Sequence, residues 1–274
     1  METKQTLTLI NEVQTDGHSP LKFLCDDYEI YYCKYRSGRS LNSQEVDCLF
    51  YEIVCNKLLN HLNIPTPQIA LITIVIDSFA KEKVFYNKKY CKAGAIYLGS
   101  KEVSDSDILQ SLSVIGNKND FKKLSSPYDF FKIAMFDLWV NNADRGRNEN
   151  YNILLKGTVD GLKYYAFDHA FCFGGLDLLR VFNPTQEIST QDRLITSRYF
   201  KSILPYLDKQ TCINIVDNFL SLQANEINQC ISDAFHACPL AWQIPAQIIE
   251  RTSLYLLDQN RVNQIKNIML SALT

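Results

Sequence analysis

Two phosphate-binding signatures are missing from this chain: it contains no G-x-G-x-x-G and no G-x-x-x-x-G-K-[ST]. A phosphate cradle therefore cannot be read from its glycines. Only Gly17, with His18 and Ser19 after it, offers a short turn whose backbone N–H groups suit an anion. The nine cysteines include no C-x-x-C pair and no His at zinc-finger spacing, which argues against a zinc module. Scattered in this way, they read as reduced, buried thiols of a cytoplasmic protein. The opening M-E-T-K-Q-T-L-T-L-I-N-E lacks the basic head and apolar stretch of a secretory signal. The run Ile69–Ile76 is too short to span a bilayer and reads as a buried strand. A formal net charge of -2 argues against electrostatically driven nucleic-acid binding. Neither an internal repeat nor a low-complexity tract is found. What remains is a chain of 274 residues, 46% hydrophobic and 12% aromatic, enough for a substantial core in one two-lobed domain or two small ones.

The first hundred residues are strand-rich. Thr6–Val13 alternates apolar and polar residues, Leu21–Leu24 and Ile30–Tyr35 follow, and T-D-G-H-S-P forms the first turn. A helix after Ser43 carries Val46, Leu49, Phe50, Ile53, Val54 and Leu58 at helical spacing and stops before I-P-T-P. Gln68–Ile76 and Ala93–Leu98 read as further strands, with a connector near Gly99. Helical patterns are read at Asp105–Leu112, Pro127–Asn142, Lys209–Ala224, Glu226–His236, Pro245–Leu257 and Arg261–Leu273. The expected fold class is α+β, a β-rich amino-terminal lobe over residues 1–99 and a helical lobe over 100–274, with a ligand cleft at the junction.

Chemistry concentrates in W-V-N-N-A-D-R-G-R-N-E-N-Y-N-I-L-L and Y-Y-A-F-D-H-A. Between them lie two apolar runs, Ile153–Leu155 and Leu162–Phe167, joined by a turn with Asp160-Gly161, a strong hairpin signal. Folding about Asp160 sets residue 152 opposite residue 168, with a slip of one or two positions allowed. Asn152 and Asp168 then share one mouth of the hairpin. An amide oxygen and a carboxylate there make a hard oxygen site that suits Mg²⁺. Asp144, on the preceding loop, is placed to act on a nucleophile beside such a metal, the layout of a phosphoryl-transfer site.

Lys34 lies in Y-Y-C-K-Y, on a strand lined with apolar and aromatic residues, where an ammonium needs a partner. A phosphate is one; Glu52 or Glu45, seven residues apart on one face of the next helix, is another. The same pattern allows an exposed Lys34 whose stem covers Tyr rings, and a solvated strip of Glu52, Asn56 and Asn63. Arg145 reads as a brace of its loop through ion pairing, and Asn142 as a tether of the loop backbone. Asp137, in an apolar helix, reads as a scaffold residue in need of a partner. His169 and His18 read as ordinary packed or surface histidines.

Taken in order, G-H-S-P-L, Y-Y-C-K-Y, Y-E-I-V-C-N-K-L-L-N-H-L-N-I-P-T-P, F-D-L-W-V-N-N-A-D-R, N-Y-N-I-L-L and F-D-H-A-F resemble the HipA-like kinases, including compact relatives with phosphatidylinositol-kinase-like lobes. The resemblance covers most of the chain and implies a protein-kinase-like fold that uses ATP and Mg²⁺. By position, Asp144 resembles the Asp that orients the acceptor hydroxyl, and Asp168 the metal-binding Asp that begins the activation segment. Lys34 resembles the phosphate-contacting Lys and Glu52 its helix partner. The metal-binding Asn stands five residues after the catalytic Asp in protein kinases. Here Asn150 stands six and Asn152 eight after Asp144, and Asn152 is preferred because it directly precedes the strand. The region that precedes the kinase lobes in HipA proteins proper has no room before the first strand, so a toxin role is not transferred. The expected activity is phosphoryl transfer from ATP to a hydroxyl of a protein Ser or Thr, or of the enzyme itself. The rival reading is a pseudokinase acting as a nucleotide-binding or interaction module, and a metal-dependent phosphohydrolase is a third.

Overall fold

The computed structural model describes the chain apart from residues 15–18, 35–44, 81–82, 87, 89–90, 111, 143, 147–150 and 174–186. Five strands of the amino-terminal part close into a barrel: β1 (Thr3–Glu12), β2 (Leu21–Cys25), β3 (Ile30–Lys34), β4 (Ile69–Thr73) and β5 (Ile96–Lys101). Their order is β1-β2-β3-β5-β4, and a parallel β1–β4 pairing closes the ring, which leaves no strand edge open. Alternation along β2 and β3 sends Leu21, Phe23, Cys25, Tyr31 and Cys33 inward to a small core with Leu9, Ala70, Ile72 and Tyr97. The intervening residues, Lys34 among them, stand on the outer face.

Helix α1 (Glu45–His61) leaves the barrel and joins a much larger core with the carboxy-terminal helices, its Phe50, Ile53, Val54, Leu58 and Leu59 all buried. Helix α2 (Lys118–Lys122) leads to α3 (Tyr128–Trp139), which is buried along almost its whole length. Helices α4 (Arg198–Ile203), α5 (Lys209–Leu220), α6 (Ala224–Ala237), α7 (Gln247–Leu257) and α8 (Gln259–Ser271) complete this part. Side-chain caps from Ser197, Asp208 and Asp258 start three of them. Among the described residues no helix is long and apolar enough to cross a membrane.

A three-stranded sheet joins β6 (Ser106–Ile108), β7 (Ile153–Thr158) and β8 (Gly161–Ala166) in the order β6-β7-β8, with α2 and α3 inserted between its first two strands in sequence. Its first strand corrects the helix expected over 105–112. Ile108 pairs with Leu154, and the Leu109 N–H donates to Ile153 O at 2.8 Å. An unpaired edge of β7 supplied a ladder that a helix of two turns could not outweigh. The strand expected at 93–98 begins three residues later, at Ile96, because Gly94 (φ 77°) turns the chain first. Glu45 lies where only the backbone is described, and Gly17, His18 and Asn150 lie outside the described residues.

Candidate functional site

The β7–β8 hairpin turns through Val159 and Asp160, pairing Thr158 with Gly161 and Ile153 with Ala166. Asn152 therefore faces Phe167, whose N–H donates to Asn152 O at 3.2 Å, one position from the register centred on Asp160. A close tertiary approach sits beside the turn. Gly161 (φ 123°) is a strand residue pressed against the segment after α2, where any Cβ would run into the Lys123 carbonyl. Asn152 and Asp168 still leave the mouth of the hairpin together. Both adopt left-handed backbone, at φ 44° and 60°, a conformation in which Asn and Asp are enriched among non-glycine residues.

Asp144 stands on the loop that follows α3. The last carbonyls of a helix lack partners within it, and here Arg261 donates to Leu138 O at 3.3 Å and Trp139 O at 3.2 Å. Asn142 donates to Asp137 Oδ1 at 3.3 Å and accepts the Asp144 N–H at 3.2 Å. Arg145 is wholly buried and its Nε stands 2.8 Å from Asp137 Oδ2. Its guanidinium also donates to the carbonyls of Tyr151 (2.9 Å), Asn152 and Phe167 (3.0 Å), and to His169 Nε2 at 2.8 Å. Arginine cannot accept, so His169 Nε2 is the acceptor and Nδ1 carries the proton. Burial, and then the Arg145 charge, hold the His169 pKa well below the usual value and keep the ring neutral. Burial pushes the Asp137 carboxyl up to about 6, against the pull of Arg145. Arg145 is thus a brace, as expected, but one that joins the loop to both strands of the hairpin rather than serving the loop alone.

A second brace comes from a residue that sequence reasoning missed. Arg193 donates to Asn142 O and to Asn141 Oδ1 (2.7 Å). Gly146 (φ 97°) lets this contact close, since a Cβ there would stand 2.7 Å from Asp192 O. Neither Arg193 nor Arg261 carries a local motif; their importance comes from what the fold brings beside them.

The remaining side chains meet across the gap between barrel and hairpin. Lys34 Nζ donates to Glu52 Oε1 and, at 2.7 Å, to Asp168 Oδ1. Glu52 Oε2 accepts the His169 N–H at 3.0 Å, and Asn152 Nδ2 donates to Asp144 Oδ2 at 3.0 Å. Burial opposes the Lys34 charge, but Asp168 and Glu52 outweigh it and hold the ammonium above its usual pKa. Glu52 is shifted upward by burial, with Lys34 pulling it down and Asp168 pushing it up. Asp144 is also shifted upward, by burial and then by the Asp168 charge, so the two carboxylates feel one another. The structure therefore brings Lys34, Glu52, Asp144, Asn152 and Asp168 into one cluster. Ser19, buried at φ 40°, lies on the β1–β2 connection.

Three carboxylates stand against one ammonium in this cluster, an excess of negative charge beside an amide oxygen. Such a hard, oxygen-only set fits Mg²⁺ rather than a softer transition metal. Among the described residues no group of three or more His, Cys, Asp or Glu side chains is arranged to hold a metal. An open hollow bordered by Asn56, Lys57, Gln68 and Asp233 contains none of the cluster residues.

The sequence profile described as HipA-like kinase matches residues 9–247. Among solved structures, the Helicobacter pylori proinflammatory kinase CtkA is similar at 13% identity and a TM-score of 0.51, covering 95% of this chain and 93% of that one. The Golgi casein kinase, in a crystal structure with Mn/ADP bound, is similar at 14% identity and a TM-score of 0.52, covering 99% of this chain and 74% of that one. At these identities the likeness speaks for the fold. No curated protein matches the chain.

Proposed function

The chain belongs to the HipA-like kinase family and is a phosphotransferase, and we propose that it is an ATP- and Mg²⁺-dependent kinase acting on a hydroxyl of a protein Ser or Thr, or on itself. In this reading residues 1–99 form a nucleotide-binding lobe and 100–274 a catalytic lobe. The observation that carries it is the continuous chain of contacts Glu52–Lys34–Asp168 beside Asp144–Asn152. Lys34 holds the phosphates and Glu52 orients Lys34. Asn152 and Asp168 hold Mg²⁺, which when bound supplies charge neutralisation for the triphosphate. Asp144 positions the acceptor hydroxyl and takes its proton; its upward shift makes it a better base than an exposed Asp. Transfer of this kind is mostly positioning and electrostatics, so few side chains are required. The bound Mn/ADP of the Golgi casein kinase structure supports nucleotide and divalent-metal use here.

Labelled ATP with Mg²⁺ tests the reading. Label should pass to the protein or to a protein acceptor, and Asp144→Asn should lower the rate by ~10²-fold or more while the fold persists. An unchanged rate in pure Asp144→Asn protein would remove Asp144 from its role. One observation favours the rival pseudokinase: Lys34 is bonded to Asp168, the carboxylate assigned to the metal. Nucleotide binding without transfer to self, generic protein or lysate would support that rival.

A further inference from the structure

The connector from β4 to β5 takes no part in the cluster described above. Its sequence, residues 74–95, holds Lys81, Lys83, Lys88, Lys89 and Lys92 against only Asp77 and Glu82, in a chain whose formal net charge is -2. The barrel ties this connector down at several points. Val84 and Cys91 are buried in the small barrel core, and Phe79 and Ala95 pack against it. The Ser78 and Thr6 hydroxyls are bonded at 2.5 Å. At the end of β1, Glu12 Oε2 accepts the N–H groups of Phe85 at 2.6 Å and Tyr86 at 3.0 Å.

What these ties present to solvent is basic and aromatic. Lys83, Lys88 and Lys92 are exposed and form no ion pair among the described residues. On the barrel strands, by contrast, Lys4, Lys22, Lys34 and Lys101 each meet a carboxylate. Phe85 is 72% exposed and Tyr86 57%, while Val84 just before them is wholly buried. Single exposed apolar residues are ordinary, but two adjacent rings pinned by their backbone among unpaired lysines are a built surface.

An anionic bilayer answers both halves of it. Ammonium groups are drawn to acidic headgroups, and aromatic rings settle at the level of the headgroups. One weak signal does not hold a protein at a membrane, whereas an apolar anchor joined to a basic patch does. Nucleic acid fits less well, since all five cations are lysines and lack the planar fork that grips phosphates and guanine edges.

We infer that the β4–β5 connector docks the protein on an anionic lipid surface, with Phe85 and Tyr86 entering the headgroup layer and Lys83, Lys88 and Lys92 facing acidic headgroups. The contact is peripheral and needs no spanning helix. Glu12 pairs with Leu21 and Leu21 with Cys33, so the docked end of the barrel is the end at which Lys34 stands. The inference does not depend on the kinase reading.

The test is sedimentation of the full chain with vesicles of phosphatidylcholine, alone or with about one-third phosphatidylserine. Binding to the anionic vesicles should be ~10²-fold tighter and should weaken as salt is added. The triple variant Lys83→Glu, Lys88→Glu, Lys92→Glu should lose ~10²-fold or more, at about 5-fold for each lysine removed. The double variant Phe85→Ser, Tyr86→Ser should lose ~10-fold while keeping its salt dependence. These side chains are exposed, so both variants should melt at the parent temperature, which separates lost docking from lost fold. Emission of Phe85→Trp, compared with the parent, should be quenched by brominated phospholipid in anionic vesicles. Equal binding to the two kinds of vesicle, unchanged binding by the lysine variant, or no quenching beyond the parent overturns the inference. Tighter binding to single-stranded RNA than to anionic vesicles overturns it in favour of a nucleic-acid surface.

Discussion

The two sides of the site are held by different means. Asp144 and Asn152 rest on backbone that Arg145 ties down through three carbonyls and a histidine, with Asp137 beneath it. Lys34 and Glu52 come from the barrel and from α1, and reach the other side only through side chains, at Asp168 Oδ1 and the His169 N–H. The first side cannot shift without leaving carbonyls and a guanidinium unpaired in a dry interior. On the second, a phosphate could replace a carboxylate at Lys34 without breaking any strand or helix. In the proposed reading, the side that presents reacting groups is the one locked by backbone bonds, and the side that receives a charged ligand is the one held by exchangeable ion pairs.

The contrast is broken most severely at Arg145. Arg145→Leu leaves Asp137 buried and unpaired and should cost about 3–5 kcal/mol of stability, read from denaturant midpoints. Arg145→Lys should recover part of this, since an ammonium keeps the charge but not the planar fork. If Arg145→Leu unfolds like the parent, the rigid side is not rigid for the reason given.

Lys34→Met tests the adjustable side. Phosphoryl transfer should fall by ~10²-fold or more through lost charge stabilisation, with a smaller loss of stability than Arg145→Leu, because Lys34 and its two carboxylates are less buried than Arg145 and Asp137. A large loss of stability with unaltered turnover would reverse the assignment of the two sides.

The pH dependence of stability sharpens the comparison. Asp137 has its folded pKa raised from 3.8 to about 6, so the folded chain holds that proton more tightly than the unfolded one. The stabilisation this brings is present below pH 3.8 and is lost as pH rises toward 6. Roughly 3 kcal/mol is the upper scale of that contribution, from about 1.4 kcal/mol per unit. Glu52 and Asp144 are shifted upward as well and act in the same sense. Urea titrations at closely spaced pH values should show the fall, and Asp137→Asn should flatten its share of it.

The smallest effect on stability is expected at Asp144 itself. Its carboxylate is disfavoured by burial and by Asp168, while an Asn oxygen could still accept from Asn152. Asp144→Asn should therefore match or exceed the parent melting temperature, by less than about 1 kcal/mol in stability. A marked destabilisation would show that the Asp144 charge holds the loop together.

Much of this was legible from residue order. The helices read near 209, 226, 245 and 261 appear within a few residues, because amphipathic periodicity and side-chain caps act locally. The shared mouth of Asn152 and Asp168 followed from alternation about an Asp-Gly turn. Strand β6 was not legible: D-S-D-I-L favours a helix start by itself, and the open edge of β7 decided otherwise. The hairpin register stands one position from the one centred on Asp160, within the slip that the turn signal allowed. Arg193 was missed for a related reason. It is an ordinary surface-type residue in its own stretch of chain, and gains its partners Asn141 and Asn142 only from a segment distant in sequence.

Local chemistry alone determined which residue types this protein could bring to a phosphate and a divalent ion, and which strands and helices would carry them, because turn preference, periodicity and capping act over a few residues. Tertiary structure decided which carboxylate pairs with Lys34, which arginines hold the loop and which face of the barrel meets the helices. Those outcomes depend on desolvation and on the satisfaction of buried polar groups, and neither exists until distant segments have packed.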